Sequence, residues 1–209
     1  MKTKKVENII NIPHIPFYFI RHGQTDYNLE NKVMGQIDIP LNEVGLEQAK
    51  VLAEKISHLE ISHIVSSPLT RAMQTAEIIA TNINKPITVI DELKQNALGI
   101  LEGLSKAELI NGNSVNNLIE EHLKNVSNIE GAEHWADFVS RISVGLNFAL
   151  EISPDKRHIL IVAHKPTYWA LLQILNAQAV DIETKNCGGY SFTPPIPGSN
   201  QWIVNALYN

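Results

Sequence analysis

The sequence contains a single cysteine, no long apolar run and no excess of positive charge. Its one cysteine, Cys187, rules out an internal disulfide and fits a reducing compartment. No run approaches the roughly 18 apolar residues that a membrane span requires, and the net charge of -5 argues against nucleic acid or an anionic membrane as the main partner. We therefore expect a cytoplasmic protein that binds neither nucleic acid nor a membrane.

The rest of the composition is that of an ordinary globular protein. Hydrophobic residues make up 44% and charged residues 19% of the 209 residues, a length that suits one α/β domain with a sizeable core. Residues 1–13 predict an N-terminal extension whose apolar portion is interrupted by Glu7 and Pro13, so we do not expect a signal peptide. We expect a single domain over residues 1–209.

The first strong structural signal is the apolar stretch over residues 15–20. It is short and aromatic, which predicts a buried strand in a sheet covered on both faces. The strand ends at Arg21-His22-Gly23, where the glycine allows a sharp turn. Open α/β sheets bind ligands outside the carboxyl ends of their strands. The functional interpretation is a phosphate site around His22, although so short a motif also occurs by chance.

A second strand-loop-helix unit follows an amphipathic helix that the spacing of apolar residues predicts over residues 44–56, with Asn42 as its N-cap. Residues 63–67 predict a short strand that a proline ends, and residues 69–79 predict the next helix. Arg71 falls in the first turn of that helix. The free N–H groups at this helix end already favour an anion, so Arg71 is a candidate phosphate ligand.

A third unit has the same form. Residues 157–163 predict a strand of β-branched residues, and a helix is expected over residues 167–175. His164 and Lys165 lie between them. The three units therefore each place a cation or an imidazole at the same end of a strand. The residues concerned are Arg21-His22, Arg71 and His164-Lys165. Three such placements predict a phosphate pocket at one edge of the sheet.

Four motifs then occur in a fixed order. They are Arg21-His22-Gly23-Gln24-Thr25 with Asn28, the sequence GQIDIPLNEVGLEQA, the sequence SSPLTRAMQTAE, and His164. In order and spacing, from about residue 17 onward, they resemble the histidine phosphatase superfamily, which contains the cofactor-dependent phosphoglycerate mutases. The resemblance implies a three-layer α/β sandwich with a mostly parallel central sheet and helices on both faces.

The resemblance also implies the roles of individual residues. It implies a phosphohistidine intermediate on His22, with the transferring phosphoryl group surrounded by Arg21, Arg71 and His164. The motif residues Thr25 and Asn28 are expected to contact the phosphate or substrate. A neutral imidazole is an effective nucleophile, and two guanidinium groups can hold phosphoryl oxygens as a metal ion does elsewhere. The other histidines show no close zinc-like spacing, so we expect no metal and no cofactor.

Two positions depart from the family pattern. Gln95 stands where the resemblance places the glutamate that protonates the leaving group. An amide can donate a hydrogen bond, so Gln95 is a candidate substrate or phosphate contact, but it cannot deliver that proton. Another carboxylate therefore takes the role, with Glu92, Glu102 and Glu133 as candidates, or the step is slow. Lys165 follows His164 where the family usually has a small residue. It is either an additional phosphate or substrate contact, a crowding element, or a lysine turned to solvent.

The segment over residues 104–131 is expected to cover the site as a cap, with weak helical patterning over residues 104–110 and 115–123. It is shorter than the insertion that the resemblance leads us to expect in a true mutase, which favours a phosphatase. Near the C-terminus, residues 190–193 and 202–207 predict two strands of an edge hairpin.

Three functional hypotheses remain from the sequence. The first is a metal-independent phosphomonoesterase acting on a small phosphorylated metabolite through phosphorylated His22. The second is a mutase of the phosphoglycerate type. The third is a phospho-ligand-binding protein with little turnover, because Gln95 occupies the position of the acid. The expected assembly is a monomer or a homodimer.

Overall fold

The computed structural model describes residues 11–124, 128–153, 158–181 and 183–208, so most of the predicted N-terminal extension lies outside the described residues. The strands in these ranges are β1 (Phe17–Arg21), β2 (His63–Ser66), β3 (Ile87–Val89), β4 (Leu109–Ile110), β5 (Asn113–Ser114), β6 (Ile159–Ala163), β7 (Gly189–Thr193) and β8 (Ile203–Ala206). The α-helices are α1 (Asp26–Leu29), α2 (Glu43–Lys55), α3 (Thr70–Ile83), α4 (Val115–Leu123), α5 (Trp135–Glu151) and α6 (Lys165–Ile174). None of the described helices combines the length and the apolar character needed to cross a bilayer.

A six-stranded sheet in the order β3-β2-β6-β1-β7-β8 forms the centre of the fold. The first four strands in this order are parallel, and β7 and β8 run antiparallel to their neighbours. Parallel strands need crossover connections, which α2, α3 and α5 supply between them. The carboxyl ends of β2, β6 and β1 therefore lie side by side at one edge.

Helices cover both faces of this sheet. Successive strand residues point to opposite faces, so each face presents apolar side chains against which helices pack. Phe17 and Phe19 of β1 pack in one cluster with Phe138 of α5 and Leu171 of α6. Ile20 packs in the other cluster, which contains buried residues of α2 and α3 such as Leu52 and Ile79. The two clusters and the sheet between them confirm the predicted three-layer α/β fold with a mostly parallel sheet.

Most of the predicted elements are present within a few residues of their expected bounds. The helix predicted over residues 44–56 is α2, and Asn42 caps it, since Asn42 Oδ1 accepts a hydrogen bond from Gly45 N–H at 2.9 Å. The predicted C-terminal hairpin is β7 and β8, at the edge of the sheet. The sequence prediction lacked β3, which has three residues and an exposed Val89, so it offers no buried apolar run.

The cap segment, residues 104–131, differs from its predicted pattern in its first half. Residues 104–110 are not a helix: β4 pairs with β5 in an antiparallel hairpin. The turn between them is Asn111-Gly112, with φ of 50° and 82°, and two successive residues at positive φ make the tight hairpin turn that Asn-Gly favours. The second predicted helix is confirmed as α4, whose N-cap is Ser114.

Helix α2 approaches the turn after β1 very closely, and this contact depends on two glycines. A Cβ added at Gly45 would lie 2.0 Å from the carbonyl oxygen of Gln24, and one at Gly23 would lie 2.6 Å from the carbonyl oxygen of Gly45. Both contacts are with backbone atoms, which cannot move aside as a side chain does. Because neither glycine has a side chain, the turn that follows His22 packs directly against the backbone of α2.

We predict that Gly45→Ala destabilises the protein, although alanine is the better helix former. Overpacking of this kind should lower the free energy of unfolding by about 1–3 kcal/mol, measured by urea denaturation. The matched control is Val44→Ala at the exposed neighbouring position, which should change that free energy by less than about 0.5 kcal/mol. A stabilised Gly45→Ala variant would show that the two backbones are not in close contact.

Candidate active site

Four parallel strands deliver the predicted site residues to one edge of the sheet. Arg21 is the last residue of β1 and His22 follows it, while His164 follows β6, which lies between β1 and β2. Arg71 lies in the first turn of α3, after β2, and Gln95 follows β3 through a short 3₁₀ turn. These residues come together because their strands are neighbours, not because they are close in sequence.

His22 is 1% exposed and its ring has a defined tautomer. Its Nδ1 lies 2.7 Å from the carbonyl oxygen of Gly23. A carbonyl oxygen only accepts, so Nδ1 carries the proton and the lone pair lies on Nε2. Burial lowers the pKa of His22 well below its usual value, and the charges of Arg71 and Arg21 lower this pKa further. The imidazole is neutral at neutral pH, and Nε2 is able to act as a nucleophile.

Three hydrogen bonds with two other parts of the chain hold the backbone around His22. Gly23 N–H donates to Thr75 Oγ1 of α3 at 3.1 Å, and Asn186 Nδ2 donates to the carbonyl oxygen of His22 at 3.1 Å. Cys187 N–H donates to the carbonyl oxygen of Arg21 at 3.1 Å. Cys187 has a positive φ of 56°, an uncommon conformation that turns the loop back onto the end of β1.

Arg71 is fully buried and bonds mainly to backbone carbonyl groups. Its Nη1 donates to Ile37 O at 2.9 Å, and its Nη2 donates to Gly35 O at 2.9 Å and to Gln95 Oε1 at 3.1 Å. Its Nε has no partner among the described residues. Burial lowers the pKa of Arg71 to about 10, so the guanidinium stays charged at neutral pH. Asp38 and Glu102 act on this charge from a distance, but no described carboxylate forms an ion pair with Arg71, so backbone and amide dipoles orient the guanidinium.

Arg21 shows the same pattern from the other side of His22. Its Nη1 donates to Thr184 O at 2.6 Å, and within the described ranges its Nε has no partner. Burial lowers the pKa of Arg21 to about 10, which again leaves the group charged at neutral pH. Two guanidinium groups with free N–H donors therefore flank a neutral imidazole.

His164 lies against His22, with 5.3 Å between the ring centroids. Its Nε2 shares a hydrogen bond of 2.8 Å with Ser67 Oγ, and Ser67 Oγ also accepts from Leu69 N–H at 3.4 Å. The serine proton is then available for Nε2, which favours an N–H at Nδ1. That Nδ1 is buried and has no partner in the part of the chain that the structure describes. Burial, followed by the charge of Arg71, lowers the pKa of His164 well below its usual value.

The unpartnered donors of Arg21, Arg71 and His164 form a coherent group. Buried polar groups are almost always hydrogen-bonded, so an unpartnered one needs an explanation. Here three side chains around one nucleophile each retain a buried nitrogen without a partner among the described residues. Charged guanidinium donors bond best to anionic oxygen. The arrangement is suited to an anion with several oxygens, such as a phosphoryl group.

Thr25 and Asn28 form a capping box at α1. Thr25 N–H donates to Asn28 Oδ1 at 3.2 Å and Thr25 Oγ1 accepts from Asn28 N–H at 3.3 Å. Asn28 Oδ1 also accepts from Asn186 Nδ2 at 3.1 Å. The amide oxygen of Asn28 is thus occupied, and its NH₂ group is the end left for a ligand. Thr25 is fully buried behind Asn28 and orients it.

Gln95 is placed beside Arg71 by a loop that other side chains hold. Arg141 donates to Glu92 O at 2.6 Å and to Lys94 O at 3.0 Å, and Gln36 Nε2 donates to Gln95 O at 2.9 Å. Because Gln95 Oε1 accepts from Arg71, its NH₂ group is the free end. The amide therefore offers a donor where the family pattern has an acid.

A cavity of about 420 Å³ opens over this group. Of the predicted site residues, its lining includes Arg21, His22, Asn28, Gln95 and Lys165. Thr25, Arg71 and His164 are buried and are not part of the lining. The cap segment contributes five lining residues, namely Lys106, Asn116, Ile119, Glu120 and Leu123. Across the described ranges, no group of three or more His, Cys, Asp or Glu side chains is arranged to hold a metal ion.

Several residues of the site were not identified from the sequence. Ser67 orients His164, and Asn186 joins His22 to Asn28 across more than 150 positions of the chain. Asp38 caps α3, since its carboxylate accepts from Thr70 N–H at 2.7 Å and Thr70 Oγ1 at 2.8 Å. Ser67 ends a predicted strand and offered a signal. The other two lie in loops, where no periodic pattern marks them.

Comparison with known proteins is consistent with this geometry. Residues 17–193 match the family described as the histidine phosphatase superfamily (branch 1). A Bacillus subtilis protein named uncharacterized phosphatase PhoE is 36% identical over 158 residues, which cover 73% of each chain. A Proteus mirabilis protein named probable phosphoglycerate mutase GpmB is 30% identical over 203 residues, which cover 90% of this chain and 89% of the relative.

Solved structures share the same fold. The native structure of mycobacterial glucosyl-3-phosphoglycerate phosphatase matches with a TM-score of 0.76 and 23% identity, over 92% of this chain and 97% of that chain. A structure described as mycobacterial hydrolase 1 matches with a TM-score of 0.73 and 25% identity, over 92% of this chain and 96% of that chain. The first likeness, below 25% identity, shows the fold alone.

The two buried imidazoles predict how stability depends on pH. The usual histidine pKa is 6.5, and the folded protein holds those of His22 and His164 well below it. Below pH 6.5 the unfolded chain therefore binds more protons than the folded protein. The free energy of unfolding should decrease as the pH is lowered through this range. Each histidine should contribute up to about 1.4 kcal/mol per pH unit, measured by urea denaturation between pH 7.5 and 5.5.

The combined variant His22→Gln, His164→Gln should lose most of this slope. Some slope should remain, because burial also lowers the pKa of His63. The control His58→Gln removes an exposed imidazole and should keep the slope. An unchanged slope in the double variant would mean that burial does not hold these two rings neutral.

Proposed function

The chain belongs to the histidine phosphatase superfamily, and we propose that within it this protein is a phosphomonoesterase that works through a phosphohistidine on His22. Its proposed substrate is a small phosphorylated metabolite, hydrolysed without a metal ion or cofactor. We place this activity in the cytoplasm, in a monomer or homodimer. The observation that carries the proposal is the hydrogen bond from His22 Nδ1–H to Gly23 O, because it leaves the lone pair on Nε2 of a neutral ring.

In the first half-reaction, His22 Nε2 attacks the phosphorus of the bound ester in line with the leaving oxygen. The N–P bond forms as the P–O bond to the alcohol breaks. Arg21 and the Asn28 amide line the cavity and hold equatorial oxygens of the phosphoryl group. Arg71 and His164 lie buried behind that lining, and their donors and the charge of Arg71 stabilise the charge of these oxygens throughout the transfer. The departing alkoxide takes a proton from water or from a carboxyl group in the cavity.

In the second half-reaction, water attacks the phosphorus of the phosphohistidine. The N–P bond breaks, its electron pair returns to Nε2, and inorganic phosphate leaves with the proton balance made by solvent. The same donors serve both steps, because the phosphoryl group stays in place while the two partners exchange. Splitting one displacement into two in this way is the general benefit of a covalent intermediate.

A mutase would return the phosphoryl group to a bound alcohol in place of water. Both kinds of name occur among the relatives. The phosphatase is favoured by the cap segment, whose described residues between Gly103 and Gly131 form a hairpin of two short strands and the helix α4. So small a cover gives little enclosure to keep an alcohol bound and water out.

The position of Gln95 favours a second candidate, a phospho-ligand-binding protein with little turnover. Its amide oxygen accepts from Arg71, so the position offers only an N–H donor. The three carboxylates considered as replacements do not line the cavity. Glu133 is held bidentately by Arg141 at 2.8 and 2.7 Å, and Glu102 Oε1 accepts from two backbone N–H groups. Glu120 and Glu183 are the lining carboxylates within the described ranges.

The direct test is hydrolysis of p-nitrophenyl phosphate in excess EDTA. The wild type should be active, and His22→Ala should lose the activity while keeping its thermal unfolding transition. The control His58→Ala removes an exposed imidazole and should keep the activity. Activity that EDTA removes and magnesium restores would contradict the metal-independent mechanism.

Isotopic water separates the two enzymatic candidates. Hydrolysis in ¹⁸O-labelled water should place one solvent oxygen in each phosphate released, which mass spectrometry detects. Return of the phosphoryl group to an added alcohol, without label in phosphate, would identify the mutase. The binding protein is indicated if p-nitrophenyl phosphate binds but is not turned over, because nitrophenolate needs no proton to leave.

We predict that Gln95→Glu raises the turnover of alkyl phosphates more than that of p-nitrophenyl phosphate. An alkoxide is a far stronger base than nitrophenolate and gains about 10²- to 10⁴-fold from a positioned acid. Rates for both classes, measured in wild type and variant, give the selective gain. The control is Asn96→Asp, which adds a carboxylate at the neighbouring lining residue and should slow both classes. Equal effects of Gln95→Glu on the two classes would contradict the prediction.

A further inference from the structure

Two lysines line the candidate active site in addition to the groups proposed to hold the phosphoryl group. Lys106 belongs to the cap segment, and Lys165 is the first residue of α6. Both are half-buried. The backbone of Lys106 is anchored, since its N–H donates to Asn31 O and its carbonyl oxygen accepts from Asn116 N–H, each at 3.0 Å. The position of Lys106 at the cavity wall is therefore built into the cap.

Neither ammonium group forms an ion pair with a described carboxylate. In the part of the chain that the structure describes, no carboxylate oxygen lies within 4.0 Å of Lys106 Nζ or Lys165 Nζ. Lys165 Nζ lies 5.1 Å from the Trp169 ring centroid, a contact that only partly replaces lost hydration. Partial burial removes part of the hydration of both charges, and a bound anion would replace it.

The two lysines and Arg21 also act on one another. Burial lowers the pKa of Lys106, and the charge of Arg21 lowers it further. Burial lowers the pKa of Lys165, and the charges of Arg21 and Lys106 lower this pKa further. The charges of Glu183 and Asp181 raise it. Like charges that perturb each other across a cavity generate a positive potential inside it. An anion placed between them would relieve this repulsion.

The other charged groups of the lining are accounted for. Lys32 is paired with Glu30 at 2.6 Å, and Glu120 Oε1 accepts from Asn116 Nδ2 at 3.0 Å. Glu183 offsets part of the charge on Lys165. The lining thus carries four cations against two carboxylates, Glu120 and Glu183. Lys106 and Lys165 are the two lysines of the lining that form no ion pair within the described ranges, and they lie beside hydrocarbon surface from Leu123 and Trp169.

We propose that Lys106 and Lys165 bind a second anionic group, a carboxylate or a further phosphate, carried by the alcohol part of the substrate. This inference rests on the proposed function, since the phosphoryl group is assigned to Arg21, Arg71 and their neighbours. A cavity of about 420 Å³ lies in the range of small-molecule sites, with room for more than the phosphoryl group. The apolar lining would then contact the carbon skeleton between the two anions.

The test compares pairs of esters in which one member carries a second anionic group and the other does not. Phosphoglycolate is paired with 2-phosphoglycolamide, which has the same size without the second charge. Ethylene glycol bisphosphate is paired with 2-hydroxyethyl phosphate. The ratio of kcat/KM within each pair is measured in wild type, Lys106→Gln and Lys165→Gln. Because each ratio is compared between proteins, differences in leaving-group basicity within a pair cancel.

In the wild type the anionic member of at least one pair should be preferred, and the pair concerned identifies carboxylate or phosphate. Each lysine variant should lower that ratio roughly tenfold or more, as for hydrogen bonds to charged groups. The control Lys32→Gln removes a lining cation that is already paired and should keep the ratio. Ratios that are the same in all four proteins would overturn the inference.

Failure of this inference is distinguishable from failure of the proposed function. If the esters are hydrolysed without preference for the anionic members, the second anion site is wrong and the phosphatase stands. If no ester is hydrolysed, the proposed function fails, and calorimetry with the same pairs decides the inference. Tighter binding of an anionic member that is lost in Lys106→Gln and Lys165→Gln supports the site, and equal affinities reject it.

Discussion

The position of one proton determines what this site is able to do. The hydrogen bond from His22 Nδ1–H to Gly23 O leaves the lone pair on Nε2, and burial beside two guanidinium groups keeps the ring neutral. Those guanidinium groups are oriented by backbone carbonyls of residues such as Thr184 and Gly35. Carbonyl dipoles orient a cation without cancelling its charge, so the site retains a positive potential that favours an anion. The proposed chemistry depends on this combination of a neutral nucleophile and uncancelled cations.

The fold maintains that combination through contacts at a distance from the chemistry. Because β1, β6 and β2 are adjacent and parallel, His22, His164 and Ser67 meet at one edge of the sheet. The turn after His22 is restricted by two contacts. Gly45 packs closely against it, and Asn186 Nδ2 donates a hydrogen bond to the carbonyl oxygen of His22. Preorganised donors lower a reaction barrier because they need not reorient as charge develops in the transition state. The stability of the sheet edge and the proposed activity are therefore linked.

Most of the scaffold was predictable from the sequence, and so was the meeting of Arg21, His22 and His164 at one edge of the sheet. Buried strands and amphipathic helices leave local periodic patterns, so β1, α2 and α6 were visible, and a cation placed directly after a strand was recognisable as in Arg21-His22. Partners that depend on distant loops were not visible. Asn186 reaches His22 from far along the chain, and the cap hairpin was mistaken for a helix although Asn111-Gly112 carries the turn signal. The place of Lys106 at the cavity wall emerged only from the folded chain.

The most direct test of the central claim is the identity of the phosphorylated atom. Phosphorus NMR of the protein trapped during turnover, together with mass spectrometry of its peptides, identifies both the residue and the ring nitrogen. The account predicts one phosphohistidine, on His22, with phosphorus on Nε2, because Nδ1 is occupied by its proton and the Gly23 carbonyl. Phosphorus on Nδ1 of His22, or on His164, would contradict it.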